Sequence, residues 1–329
     1  GGGRGGRMVE NFNIPFIIGT GSGGGKIVSK ITAPIVKVAV NSSWRDLDAL
    51  PEEVVKIRAG DGYGSGMDPK KGERDYKKGG REGLRKALEK IVKEAGIERK
   101  NVCLIPIVVS TGFGFGTGSG PLIVEDVKKW FPESAVLAFV VRPFSFEGDE
   151  ADYRSHVYSR KIAEKTGTVL IDNEYVSNIV GQSSNLWQTV EKVNRYVTNA
   201  LDTFIKTATT KNILAGIDRT DLKRVTDRGL IYFFTRTFEK DLDVKKLYDS
   251  DSMLTKYEYK MFSKPEKLPV EMLAFIQSPK IPETSLISML RKYVEDNLRL
   301  EPKIFKVGIF QGERVRASII IGGVKWWVW

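Results

Sequence analysis

One cysteine, Cys103, and one histidine, His156, are the scarcest residues in this chain of 329. A single thiol excludes an intrachain disulfide, and one imidazole beside it leaves no zinc cluster. Nucleophilic chemistry of the Ser-His-Asp or Cys-His kind would have to run through His156 alone. That histidine sits among Asp, Arg and Tyr residues and reads as surface, while Cys103 reads as a small buried hydrophobe in mid-strand. No apolar run reaches the ~18–20 residues of a membrane-spanning helix, which argues against a channel or anchor. The opening GGGRGGR lacks the apolar core of a signal peptide. Met8 therefore reads as the start, residues 1–7 as a tag remnant or flexible tail, and the cytoplasm as the compartment.

What is present is globular in composition, with 41% hydrophobic and 28% charged residues. The length suits two domains better than one. Lys and Arg number 52 against 41 Asp and Glu, a net charge of +11. The charges are spread in mixed runs, such as Arg81 to Lys93, without interleaved aromatics, so they read mainly as a solvated surface. An acidic partner or a DNA-bound adaptor stays a candidate for the surplus.

In the first half, β-branched runs at 14–18, 35–40, 102–110, 135–141 and 168–171 alternate with amphipathic stretches. One helix carries Leu84, Leu88, Ile91 and Val92, and another is read as beginning after Pro121. The alternation predicts an α/β, Rossmann-like parallel sheet covered by helices, with its ligand at the carboxyl ends of the strands. Leu186, Val190, Val193, Val197, Leu201 and Ile205 then define one long helix. Strands at 230–235, 273–277, 304–309 and 316–321, with a helix over 283–298, form a smaller α+β unit. The expected division is 1–13 as tail, 14–185 as ligand-binding domain, 186–209 as connecting helix and 210–329 as second domain.

Two glycine runs carry the chemistry. The first, Gly19 to Lys26, follows a strand and opens a helix, so its amides and the helix N-terminus suit a phosphate. Gly19, Gly21 and Gly24 satisfy the dinucleotide pattern G-x-G-x-x-G, but the next strand ends in Asn41-Ser42-Ser43 and not in an acid for the ribose. A P-loop fails at Thr20 and at Ile27, which stands where a magnesium-binding hydroxyl belongs. The second run, Thr111 to Pro121, again opens a helix. Two anion cradles on neighbouring strand ends fit a polyphosphate held from two sides, hence a nucleoside triphosphate site without a P-loop. An NADP oxidoreductase, the remaining enzyme class, has no use for the second run.

These runs together resemble the signature of the tubulin/FtsZ superfamily of GTP-dependent filament proteins. The second matches at Gly112, Gly114, Gly116, Thr117, Gly118 and Gly120, with Phe115 where the family usually has glycine. Further segments follow in order. Ala39 to Ser43 is similar to the A-[IV]-N-T segment, and Gly62 to Pro69 resembles the γ-phosphate loop. Pro143-Phe144 through Glu147-Gly148 resembles P-F-x-x-E-G, and Asp172-Asn173-Glu174 resembles P-N-[DE]. The resemblance implies GTP or GDP held by Gly19, Thr20, Gly21, Ser22, Gly23, Gly24 and Gly25, with Asn41 beside them. The same reasoning assigns Ser65, Gly66, Met67 and Asp68 to the γ-phosphate, and Gly114, Phe115, Gly116, Thr117 and Gly118 to the second cradle. Glu147 and Asn173 are then expected at the ribose and Asn194 at guanine. It implies Mg²⁺ bound mainly through the phosphates, with K⁺ as a further candidate. Val190 stands where an aromatic often stacks on the base. Ala151 stands where the ribose loop usually has arginine, with Arg154 as the candidate substitute.

Past the long helix, Gly216-Ile217-Asp218-Arg219-Thr220-Asp221 is similar to the family's N-x-D-x-x-D loop, with Gly216 for asparagine. Read alone, Asp218 and Asp221 are ordinary helix-capping carboxylates. The resemblance implies instead that they act as catalytic residues on the nucleotide of the next copy in a head-to-tail homopolymer. Asn41-Ser42-Ser43 resembles TubZ proteins, and Gly24 to Val28 resembles CetZ proteins, so division, shape and DNA segregation all remain open as roles. A GTP-binding scaffold with little hydrolysis is the alternative. The closing run Trp326-Trp327-Val328-Trp329 reads as strand-end packing or a contact patch.

Overall fold

The fold is given by a computed structural model that describes residues 12–181, 185–214, 216–249 and 267–324. The tail at 1–11, Met8 included, and the terminal tryptophans lie outside the described residues. The strands are β1 (Phe16–Thr20), β2 (Val36–Asn41), β3 (Val55–Arg58), β4 (Leu104–Ser110), β5 (Ala135–Arg142), β6 (Gly167–Asp172), β7 (Asn212–Leu214), β8 (Gly229–Phe238), β9 (Leu268–Ser278), β10 (Leu300–Gln311) and β11 (Val315–Val324). Around them run α1 (Gly21–Ser29), α2 (Trp44–Asp48), α3 (Pro69–Asp75), α4 (Arg81–Glu94), α5 (Gly114–Trp130) and α6 (Asp149–Lys165). The later helices are α7 (Asn173–Val180), α8 (Leu186–Ala208), α9 (Arg219–Val225), α10 (Val244–Leu247) and α11 (Thr284–Asn297).

Among the described residues one sheet takes in every strand, in the order β3-β2-β1-β4-β5-β6-β8-β11-β9-β10-β7. The six strands from β3 to β6 are parallel. β8 continues the sheet through two register pairs with β6, Gly167 with Gly229 and Thr168 with Leu230, before the antiparallel part begins at β11. The sequence reading missed β3 and β7, short edge strands whose few alternating residues carry little periodic signal.

The period of two puts successive side chains on opposite faces. Phe16 and Ile18 of β1 join one core with Leu84 and Leu88 of α4 and Val124 of α5. Ile17 joins a second core on the other face, with Ile27 and Val28 of α1 and Val193, Val197 and Phe204 of α8. α8 belongs to both halves of this face: Phe204 meets Phe233 of β8 and Phe275 of β9 edge-on, at 5.5 and 5.4 Å. It also lies alongside α1 in the same sense. Thr198 donates to the Ile27 carbonyl (2.9 Å), and one turn on the buried Asp202 accepts the Ala33 amide (2.8 Å).

Residues 114–120 depart from the sequence reading. The helix expected after Pro121 starts at Gly114, and Pro121 lies within it, forgoing one amide bond. The glycines alternate along the chain, and the helix sorts them onto two faces four residues apart. Side chains at Gly114 or Gly118 would overlap the backbone of residues 65–73, and side chains at Gly116 or Gly120 would overlap β4. Gly72 of α3 returns the contact, since a Cβ there would overlap the Gly114 carbonyl. α3 and α5 therefore touch backbone to backbone.

Gly118→Ala gains about 1 kcal/mol of helix propensity, but its methyl meets the rigid Pro69 carbonyl. A net loss of about 1–3 kcal/mol is expected, the usual range for overpacking. A shifted urea midpoint at unchanged slope measures it; an unshifted midpoint refutes the backbone contact.

Candidate functional site

The parallel strands end together at Thr20, Asn41, Ser110, Arg142 and Asp172, and two helix starts meet there. Neither α1 nor α5 has a side-chain cap, whereas α2, α3 and α7 are capped by Ser43, Asp68 and Asp172. The first-turn amides of α1 and α5 thus lack intrahelical acceptors and concentrate partial positive charge. Gly21, at φ 81°, makes the turn; a Cβ on it would lie 3.1 Å from Gly116 Cα, so the two uncapped starts are in contact. Thr20 and Ser119 share a hydroxyl bond of 2.7 Å across the junction, and Ser110 donates to the Thr20 carbonyl at 3.2 Å. Such a pair of helix starts binds an anion through main-chain groups. Gly19 and Gly24 act differently: each lies where a side chain would overlap the neighbouring backbone. Phe115 is 4% exposed and packs into the core, leaving its main chain alone for a ligand. Thr117 is buried, its hydroxyl on the Phe113 carbonyl at 2.5 Å.

Beside the first helix start opens a cavity of ≈ 790 Å³, lined in part by Gly21, Ser22, Lys26, Asn41 and Asp46. Ser22 donates to the Asp46 carboxylate (2.5 Å), and the buried Asn41 donates to Ser22 (3.2 Å). Across it lies the loop at 60–68, whose Gly60, Gly62, Gly64 and Gly66 all have positive φ. Gly114 donates its amide to Gly66 (2.7 Å), so the loop is tied to the start of α5. Ser65 has its hydroxyl on Asp75 (2.6 Å) and against Ser42 (2.7 Å), and Lys71 bridges Asp75 (2.8 Å) to the Gly64 carbonyl (2.9 Å). The side chains of Ser65 and Asp68 are therefore spent on shaping the loop, and Met67, 63% exposed, stands at its tip. Asp75 was invisible in the sequence: only the fold brings it to Ser65.

On the other flank, Glu147 accepts the Phe144 amide at 2.6 Å. Burial pushes its carboxyl above the usual glutamate range, and that amide opposes the shift. Glu174 accepts the amide and hydroxyl of Ser145 (2.7 Å each), holding this loop to the start of α7. There Asn173 is buried, and its Oδ1 has no hydrogen-bond partner among the described residues, an acceptor awaiting a donor. The register of α8 on α1 carries Asn194, also buried, to the level of the glycine run. Arg154 pairs with Glu150 at 3.8 Å.

The acidic pair stands elsewhere. Arg219 donates to the carbonyls of Val102 (2.9 Å) and Lys100, fixing α9 at the amino end of β4, opposite the glycine runs. Asp218 caps α9 by accepting the Asp221 amide (2.9 Å), and Asp221 accepts the Asp218 amide in return (2.9 Å). Asp218 is exposed, but Asp221 is 2% exposed and ion-paired with Lys306 (2.9 Å) and Arg224 (3.0 Å). Burial raises the Asp221 carboxyl, and the Asp218 amide with the two cations outweighs it and holds the group below the usual aspartate range. The asparagine absent at 216 has a steric reason: any side chain there would overlap the Val307 carbonyl of β10.

Residues 15–181 match the Tubulin/FtsZ family, GTPase domain. A tubulin-like protein CetZ of Methanothrix thermoacetophila is 27% identical over 197 residues, 59% of this chain and 50% of its own. Cell division protein FtsZ 1 of Pyrococcus abyssi is 29% identical over 174 residues, 50% of this chain and 43% of its own. The chain thus spans about half the length of the curated relatives it matches. Among solved structures, an FtsZ dimer of M. jannaschii superposes with TM-score 0.70 at 20% identity, covering 96% of this chain and 89% of that one. The GTPgS-bound protofilament of CetZ2 from Haloferax volcanii gives 0.70 at 17%, covering 95% and 94%. A TubZ protofilament of Bacillus thuringiensis serovar israelensis gives 0.65 at 15%, covering 97% and 90%. These likenesses give the fold.

Because the folded-state pKa of Asp221 is lowered, its contribution to stability is complete above the unfolded value of about 3.9 and is lost as pH falls through the folded value. Asp221→Asn should therefore be less stable than the parent at pH 7, with the gap closing toward pH 3. Denaturant titrations at both pH values measure it; a gap that widens in acid contradicts the ion-paired state.

Proposed function

The chain belongs to the tubulin/FtsZ family, and from that premise we propose that it is a cytoplasmic GTPase that assembles head to tail into filaments and completes its hydrolytic site between copies. The observation that carries this is a separation. The uncapped helix starts lie past Ser110, whereas α9 is pinned to Val102. Eight residues of extended chain span roughly 26 Å, too far for the acidic pair to reach its own chain's phosphates. A second copy stacked along the strand direction brings one chain's pair onto the other's cradle. Repetition of such a heterologous contact builds a filament. Structures that share this fold have been solved as a dimer and as protofilaments.

In this reading the first-turn amides of Gly21 to Gly23 and of Phe115 and Gly116 hold the phosphates, and the loop at 60–68, tied to the Gly114 amide, closes on the γ-phosphate. Glu147 accepts from the ribose hydroxyls, Asn173 offers Oδ1 beside them, and Asn194 bonds guanine. Among the described residues no group of three or more His, Cys, Asp or Glu could hold a metal. The residues fit Mg²⁺ in its usual manner, bound through phosphates and waters with Asp46 the nearby carboxylate, and the ion would neutralise phosphate charge. Asp218 of the neighbouring copy orients the attacking water. As the water oxygen bonds to the γ-phosphorus, the bond to the β–γ bridging oxygen breaks. GDP keeps the electron pair, and the water's proton passes through the Asp218 carboxylate to the released phosphate. The nucleotide step could serve division, cell shape or DNA segregation; the basic surplus suits an acidic adaptor in any of them.

The ion-paired state of Asp221 favours a second reading, a GTP-binding filament with little turnover. GTP hydrolysis per subunit, measured against protein concentration with Mg²⁺ present, separates the two. Near-zero turnover below a threshold and a steep rise above it is expected. A flat specific rate overturns the shared site, and bound GTP without turnover at any concentration selects the scaffold.

A further inference from the structure

The two aspartates of the α9 turn are in different electrostatic states. A carboxylate offers about four acceptor positions on two oxygens. Asp221 uses three: Oδ1 takes Lys306 and Arg224, and Oδ2 takes the Asp218 amide. Its side chain is 2% exposed, so no water from a neighbouring copy reaches the fourth. Asp218 uses Oδ1 for the Asp221 amide; its side chain is exposed, and among the described residues Oδ2 takes no hydrogen bond.

The cations are built in. Arg224 is held from its other side by Glu271, whose two carboxylate oxygens lie 3.1 and 2.9 Å from its Nε. Lys306 comes from β10, and the next residue, Val307, is the one whose carbonyl fills the space above Gly216. The same strand segment therefore forbids a side chain at 216 and delivers an ammonium to Asp221. Asp221, Glu271, Arg224 and Lys306 cancel in charge, whereas Asp218 is the exposed carboxylate of the turn.

We propose that the pair divides its labour: Asp218 is the single carboxylate that orients water on the next copy's nucleotide, and Asp221 is a positioning residue held by Lys306 and Arg224. The inference rests on the GTPase reading above and goes beyond it in one respect. The two aspartates are unequal in catalysis. The reciprocal Asp218–Asp221 bonds are the route by which Asp221 acts, since they set the direction of the Asp218 carboxylate. Asparagine at 221 keeps an acceptor for the Asp218 amide, whereas asparagine at 218 removes the charge that faces the water.

The test is GTP turnover normalised to sedimented polymer for the full chain and for Asp218→Asn, Asp221→Asn and Lys306→Met, with kcat and KM resolved. GTP binding by unassembled protein reports folding, because the cradle lies at the opposite end of β4. Asp218→Asn should lose on the order of 100-fold or more, and Asp221→Asn less than about tenfold. Lys306→Met should match Asp221→Asn, with the loss in kcat and KM unchanged. Equal losses at 218 and 221 in variants that still bind GTP and sediment overturn the division of labour. A parent that neither binds nor hydrolyses GTP fails the functional reading instead.

Discussion

The site depends on a contact made by atoms that are absent. α5 is approached on one face by α3 and on another by β4 only because Gly114, Gly116, Gly118 and Gly120 carry no side chains. Each glycine costs about 1 kcal/mol of helix propensity relative to alanine. Backbone contact with α3 offsets that cost and has a consequence beyond stability. It draws the 60–68 loop onto the start of α5, where the Gly114 amide bonds Gly66. The residue before that start, Phe113, has no side-chain acceptor, so the helix start that is tightly packed is also uncapped.

The opposite end is governed by charge more than by packing. α9 begins with a carboxylate pair that would repel itself if both members were exposed. The fold resolves this by burying Asp221 against two cations and leaving Asp218 outside. Removing one cation would leave a buried charge undercompensated, the costly half of any buried ion pair. This arrangement therefore fixes which aspartate is available at the end of the molecule, and it does so through residues far apart in sequence.

That distance explains what the sequence could and could not convey. The parallel sheet, the long α8 and the glycine runs rest on local periodicity or on consecutive residues, and these were legible. The start of α5 was not, because glycine and proline are helix breakers by propensity, and a tertiary contact with α3 decides the matter. The Ser65–Asp75–Lys71 cluster could not be seen, since nothing at Asp75 marks it as a partner of the loop ten residues earlier. Asp218 and Asp221 were singled out as a pair by the resemblance to N-x-D-x-x-D, since by themselves they read as capping residues. Their inequality was hidden, because Lys306 joins them only when β10 is laid beside α9.

Strand β4 joins the two ends into one device. Its seven residues are almost wholly buried in the middle of the parallel sheet, with Ser110 beside one half-site and Val102, just before it, bonded to the other. A strand held by β1 and β5 on both edges cannot shorten or slip without inverting its buried faces. The span between cradle and acidic pair is thus a fixed length, set by residue count and rise. In a stack of copies that length would be a fixed part of the repeat. A nucleotide held between copies would then be sensed through the two rigid ends that contact it, the uncapped helix starts on one side and the lone Asp218 carboxylate on the other.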